Sequence, residues 1–185
     1  MFKYIKNEIK LIKEKDPSIK NNLECLLHPS FISKIYYKVA HFLYKKKCFF
    51  LARFISYKAK KKTGVEIHPG ASIGNNLFID HGAGIVIGET TIIGNNVTLY
   101  HGVTLGTTGK EKGKRHPTIK DNVLIGANAT ILGNLIIGEN SKIGAGAVVV
   151  NDVNKNTTVV GIPAKVIRDY NDNTDKILEM LKYYK

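Results

Sequence analysis

Residues 119–149 read "IKDNVLIGANATILGNLIIGENSKIGAGAVV", and an aliphatic side chain returns at every sixth place. Ile119, Ile125, Ile131, Ile137, Ile143 and Val149 keep one phase. The next residue is often glycine (Gly126, Gly138, Gly144), and the fifth of each six is small or aliphatic (Val123, Ala129, Ala147). Such a repeat describes a solenoid. Each hexad supplies one short strand and one corner. Its aliphatic points inward and stacks on its equivalent one coil away. Three hexads make a triangular coil, and Gly and Asn suit the tight corners.

The pattern extends upstream in two further phases. Ile67, Ile73 and Ile79 form the first, and after two extra residues Ile87, Ile93, Leu99 and Leu105 form the second. Eight extra residues then separate Leu105 from Ile119. They fall in "GTTGKEKGKRHPT", at about 106–118, a stretch of Gly, Lys and Thr expected to leave the coil as an exposed loop. Loops that interrupt a rigid repeat tend to carry function.

The flanks differ in kind. Residues 1–62 are expected to form an α-helical N-terminal region. Phe2, Ile5, Ile9 and Ile12 share one helical face. Asp16 followed by Pro17 suits a helix start, and the helical pattern continues through 31–62, broken only by a lysine run. Residues 63–163 are the repeat domain, and 164–185 form a tail whose "NTDKILEMLKYYK" reads as a final amphipathic helix capped near Asn173 or Thr174. The expected class is therefore mainly β with helical flanks.

Of the net charge of +13, nearly all lies in the first third, where 16 Lys and Arg face 4 acids. Such a face suits nucleic acid or an anionic membrane surface. With no nucleic-acid motif alongside it, the favoured reading is a solvated helical face, with no nucleic-acid partner. Cys25 and Cys48 lack metal spacing and read as free thiols of a reducing compartment. The N-terminus lacks the continuous apolar core of a signal peptide, and no apolar run reaches spanning length. A cytoplasmic protein without membrane contact is expected.

Chemistry interrupts the scaffold in "FIDHGAGI". His81 follows Asp80 near a corner, and Gly82 and Gly84 leave room for another molecule or chain. An imidazole beside a carboxylate suits a general base, and equally a surface turn. Glu66 and His68 lie one coil earlier in "GVEIHPG". A carboxylate there could fix the tautomer of His81, or simply be solvated, while His68 could turn the chain with Pro69. Arg115 and His116, in "RHP", suit a carboxylate ligand or ordinary loop solvation. Glu89, in "IGET", reads equally as a corner cap or a site carboxylate, and His101 as a corner residue.

Together, "EIHPGASIG", "FIDHGAGIVIGET", "VTLYHGVTLGTT", "GKRHPTI", "VLIGANATILGN", "SKIGAGAVVV" and "VVGIPAKVI", with the upstream Asp16-Pro17, resemble the serine O-acetyltransferases over about residues 10–170. The resemblance implies a left-handed parallel β-helix, a hand opposite to the usual crossover rule. It also implies acetyl transfer from acetyl-CoA to the L-serine hydroxyl for cysteine synthesis. His81 matches the general base, and Glu66 stands where many members carry the aspartate that orients it. Asp16 and Asp80 match the carboxylates that hold the serine ammonium. Arg115 and His116 match the groups on its carboxylate, and Glu89 lies near that pocket. Gly106, Thr108, Ala127 and Ala145 match positions along the CoA channel, with Lys142 beside it.

The implied transfer is direct, with no acyl-enzyme and no metal. The implied site lies between neighbouring β-helices of a homotrimer. The short N-terminal region favours that trimer over the hexamer of longer members. The ending Tyr183-Tyr184-Lys185 departs from the terminal isoleucine that docks to cysteine synthase, which argues against that partner. Two other readings compete: an O-acetyltransferase of the same fold acting on a sugar or polysaccharide, and a non-catalytic β-helix assembly protein. Asp16, Arg115 and His116 favour a zwitterionic amino acid over a sugar.

Overall fold

A computed structural model of the chain describes residues 2–109 and 112–170. Helix α1 spans Phe2–Lys15, a 3₁₀ turn Glu24–Leu26, α2 Pro29–Lys45 and α3 Phe49–Thr63. Short strands, numbered in chain order, then wind into three parallel faces. Face one holds β1 (Glu66–Ile67), β4 (Val86–Ile87), β7 (Thr104–Gly106), β10 (Thr130–Leu132) and β13 (Val148–Val149). Face two holds β2 (Ser72–Ile73), β5 (Ile92–Ile93), β8 (Thr118–Ile119) and β11 (Ile136–Ile137). Face three holds β3 (Phe78–Ile79), β6 (Thr98–Leu99), β9 (Leu124–Ile125), β12 (Lys142–Ile143), β14 (Thr157–Val160) and β15 (Lys165–Asp169).

The hexad aliphatics are the core. Ile67, Ile87, Leu105, Ile131 and Val149 stack in register on face one, and Ile79, Leu99, Ile125, Ile143 and Val159 on face three. Nearly all are fully buried. Each such side chain contributes roughly 1.5–3 kcal/mol of transfer free energy. One edge of the prism carries a column of asparagines, Asn76, Asn96, Asn122, Asn140 and Asn156, all at positive φ. Each Nδ2 donates to the Oδ1 of the next, at 2.9–3.1 Å.

The helices close the open end of the first coil. Tyr37 Oη donates to Ala71 O (2.6 Å), Ser56 Oγ to Ile67 O (2.6 Å) and Lys34 Nζ to Leu77 O (2.5 Å). Lys34 also pairs with buried Glu8, tying α1 to α2. Ile12, Cys25 and Phe78 pack into a second apolar cluster under α1. At the other end the chain turns back after β14, and β15 pairs antiparallel to it. Residues that sequence reading placed at the close of the repeat thus belong to a hairpin that covers it. Both devices cover rows of edge-strand polar groups.

One local expectation is corrected. Asp16 starts no helix. It follows the last turn of α1, and its carboxylate accepts from Ser18 N–H at 2.9 Å. Asn21 likewise accepts from Leu23 and Glu24 N–H (2.9 and 3.2 Å), and such local bonds compete with helix. The helix start is His28-Pro29: His28 Nδ1 accepts from Ser30 N–H (3.2 Å), with proline in the first turn. The helical pattern does break at the lysine run, as expected: α2 ends at Lys45 and α3 starts at Phe49, with Lys47 at φ 63°. The expected helix over 173–185 lies outside the described residues. Cys25 and Cys48 are both free. Among the described residues, no helix is long and apolar enough to cross a membrane.

Candidate active site

The corner between β3 and β4 holds the two residues that prevent the first coils from being uniform. Ile67 and Ile87 are partners across this extra length, so the insertion is absorbed at the corner and the stack keeps its register. His81 takes φ 58° there, and Gly82 follows at φ 79°. A β-carbon on Gly82 would meet Val65 at 2.8 Å and Pro29 at 3.1 Å, so only glycine lets α2 approach this closely.

Asp80 Oδ1 lies 3.8 Å from His81 Nε2, and the His81 side chain is 75% exposed. Asp16 comes to the same place from the end of α1. The carboxylates, His28 and His81 line a cleft of about 430 Å³ with Lys15, Pro17, Ser18 and Pro29. Hydrogen bonds from Ser18 hold the Asp16 carboxyl below the usual range, helped by His28 and His81. His28 Nε2 lies 3.6 Å from Asp16 Oδ2. Burial pushes the His28 imidazole below its ordinary pKa, against the pull of Asp16 and Asp80. The cleft is therefore anionic at neutral pH through Asp16 and suits a small cation. One coil on, His101 meets His81 edge to face, ring centres 5.9 Å apart. Its buried Nδ1 has no partner among the described residues.

A second cluster forms one edge away, between faces one and two. Glu89 follows β4, and Arg115 and His116 end the loop before β8. Glu89 Oε2 meets Arg115 Nη2 at 2.5 Å, and Oε1 accepts from Tyr44 Oη at 2.8 Å. These two donors, Tyr44 first, hold the Glu89 carboxyl below its ordinary range. Thr90 Oγ1 accepts from Arg115 N–H (3.0 Å) and His116 N–H (3.1 Å). Lys114 Nζ donates to Thr90 O (2.8 Å) and to His116 O. His68 accepts from Gly70 N–H at 2.9 Å, the turn role that its Pro69 neighbour suggests.

Glu66 stands apart from both. It lies on the outer side of β1, and its Oε2 pairs with Lys60 Nζ of α3 at 2.6 Å. One chain therefore brings together Asp16, Asp80 and His81, separately brings together Glu89, Arg115 and His116, and places Glu66 in neither group. The first two groups lie on different edges, separated by one hexad, about 20 Å of extended chain at most.

Ala127 and Ala145 lie on the edge of His81, in the coils beyond it. Asn128 N–H donates to His101 O, and Gly146 N–H to Ala127 O, both at 2.8 Å. Gly106 and Thr108 lie instead at the root of the loop on the other edge, and Lys142 is exposed on β12 with its Nζ 5.8 Å from the Tyr170 ring centre. Sequence reasoning missed His28, Tyr44, Thr90 and Lys114. The His28-Pro29 pair was the one local signal, since it marks a helix start. The others act through contacts 26 or more residues distant or through backbone. Among the described residues, no group of three or more His, Cys, Asp or Glu is placed to hold a metal ion.

Residues 116–151 match the family model "Bacterial transferase hexapeptide (six repeats)". The serine acetyltransferase of Bacillus subtilis is 54% identical over 167 residues, 90% of this chain and 77% of that protein. Soybean serine acetyltransferase complexed with serine superposes with a TM-score of 0.85 at 44% identity, covering 89% of this chain and 68% of its own. The serine acetyltransferase of Brucella abortus in complex with coenzyme A gives 0.85 at 40%, covering 90% and 67%.

Proposed function

The chain belongs to the serine acetyltransferase family of hexapeptide-repeat transferases, and on that footing we propose how its residues move acetyl from acetyl-CoA to the hydroxyl of L-serine. The observation that carries the proposal is the cleft in which two carboxylates face an exposed imidazole. Asp16 and Asp80 hold the serine ammonium there, which delivers the hydroxyl to His81. The imidazole takes the hydroxyl proton as oxygen attacks the thioester carbonyl. The C–S bond then breaks, and the imidazolium returns the proton to the departing thiolate. The proton count closes on one histidine, so no acyl-enzyme is required. General-base help supplies about 10²–10⁴-fold, and the remainder falls to positioning.

Arg115 and His116 hold the serine carboxylate, with Glu89 keeping the guanidinium in place. Because they sit on a different edge from His81, they reach the substrate from a neighbouring copy of the chain. A homotrimer of closed symmetry gives three such composite sites. Glu66 is the carboxylate of the proposed dyad with His81. Its pairing with Lys60 belongs to the isolated chain, and the dyad requires that pair to open. The pantetheine arm runs past Ala127 and Ala145, whose small side chains let it lie near backbone. Gly106 and Thr108 line it from the loop side, and Lys142 meets the charged end. The region boundaries at 62 and 163 are part of this proposal, the repeat between them carrying the chemistry.

CoA release with and without L-serine, in the wild type and in His81→Ala, tests the reading. Serine-dependent release should fall by about 100-fold or more in the variant. Undiminished turnover would remove His81 as the base, and release that responds to sugars but not to serine would overturn the substrate assignment.

A further inference from the structure

One hydroxyl organises the Arg115-His116 turn. The two lone pairs of Thr90 Oγ1 are filled by the Arg115 and His116 amides, at 3.0 and 3.1 Å. Its single proton is left for His116 Nδ1, 2.9 Å away. The Thr90 backbone N–H points at the same ring nitrogen from 3.2 Å. A ring nitrogen that accepts from a backbone amide carries no proton, so the proton of the neutral imidazole sits on Nε2.

The ring is packed closely in this position. It lies against Gly88, where a β-carbon would come within 2.0 Å of Cδ2 and 2.1 Å of Nε2. His116 is only 7% exposed. Burial, then the nearby Arg115 and Lys114 cations, push the imidazole below its ordinary pKa, which favours the neutral form.

We propose that Thr90 is a positioning residue that fixes His116 as the Nε2-protonated tautomer, so that the turn meets an anion with two kinds of donor, the Arg115 guanidinium and His116 Nε2–H. The proposal rests on the reading that this turn holds the serine carboxylate. In the other tautomer Nε2 would turn a lone pair towards that carboxylate. Thr90 therefore governs the KM for serine and leaves that for acetyl-CoA alone.

Long-range ¹H–¹⁵N spectra of the full chain with ¹⁵N-labelled histidine report the tautomer directly, with His116→Gln identifying the His116 signals. The wild type should show a bare Nδ1 and a protonated Nε2. Thr90→Val removes the hydroxyl that anchors the Arg115 and His116 amides, so the ring should move off the residue-90 amide that keeps Nδ1 bare, lose that pattern and raise the serine KM about tenfold, the worth of one such hydrogen bond. Its KM for acetyl-CoA should stay within about twofold. Thr90→Ser, which keeps the hydroxyl, should restore both spectrum and KM. A proton on Nδ1 in the wild type overturns the proposal, even if Thr90→Val fails to fold. So does an unchanged tautomer in Thr90→Val, or a changed one with unchanged serine KM. If His116→Gln leaves the serine KM unaltered, the carboxylate reading falls instead, and the spectra still decide what Thr90 does to the ring.

Discussion

Glu89 shows how much one side chain depends on donors from distant parts of the chain. Tyr44 and Arg115 depress its carboxyl pKa in the folded state, below the ordinary 4.5. The stability this contributes is present above pH 4.5 and is lost as pH falls through the depressed value. The difference in melting temperature between wild type and Glu89→Gln should therefore shrink as pH falls from 6 towards 3, and a constant difference would exclude this linkage. Gly88 offers a steric counterpart. Gly88→Ala would drive a methyl into the His116 ring and should raise the serine KM at least tenfold while leaving the fold intact by circular dichroism. At this scale the sequence was legible where chemistry interrupts a pattern, as at Asp80-His81. It was silent where a residue acts through an atom that every threonine or tyrosine carries. Nothing in "GET" distinguishes a hydroxyl that anchors a turn 25 residues away.

Within the elements, the hexad phases were legible because an inward side chain must recur once per strand. The stacks of the prism are those phases, read without geometry. Ile125→Ala, in the middle of face three, should cost about 2–5 kcal/mol in urea denaturation. The asparagine column separates side chain from backbone. Asn122→Gly keeps the positive φ and loses the amide bonds, whereas Asn122→Ala loses both, so the alanine variant should be less stable by about 1 kcal/mol. Tyr37→Phe should cost about 1–2 kcal/mol by leaving Ala71 O without its donor. Helix boundaries were less legible. Asp16-Pro17 and His28-Pro29 look alike in sequence. Each side chain accepts from the amide two residues on, and what separates them is the chain that follows: after Asp16 the later amides turn to Asp16 O and to the Glu24 and Asn21 side chains instead of a helix.

At the scale of the molecule, the placement of the two candidate clusters on different edges was hidden in the sequence, because 26 residues separate Glu89 from Arg115 and one coil brings them together. The motifs single out the candidate groups. They do not announce that His81 and Arg115 of one chain face different directions. Mixing subunits tests the consequence. His81→Ala and Arg115→Ala chains, inactive alone, should regain roughly a quarter of wild-type activity when refolded together in equal amounts. Half the sites would take an intact His81, and half of those an intact Arg115, in a randomly assembled ring. No recovery would place the whole site within one chain.

The two closures of the prism bear on what the chain does in a crowded solution. A parallel coil is a unit that can add to itself without limit, and nothing in the repeat says when to stop. Tyr37, Ser56 and Lys34 at one end and β15 at the other make the repeat a terminated polymer. Removing residues 161–170 would leave β14 as a live end, and we expect such a chain to elongate into fibrils that bind thioflavin T and the full chain to form none under the same conditions.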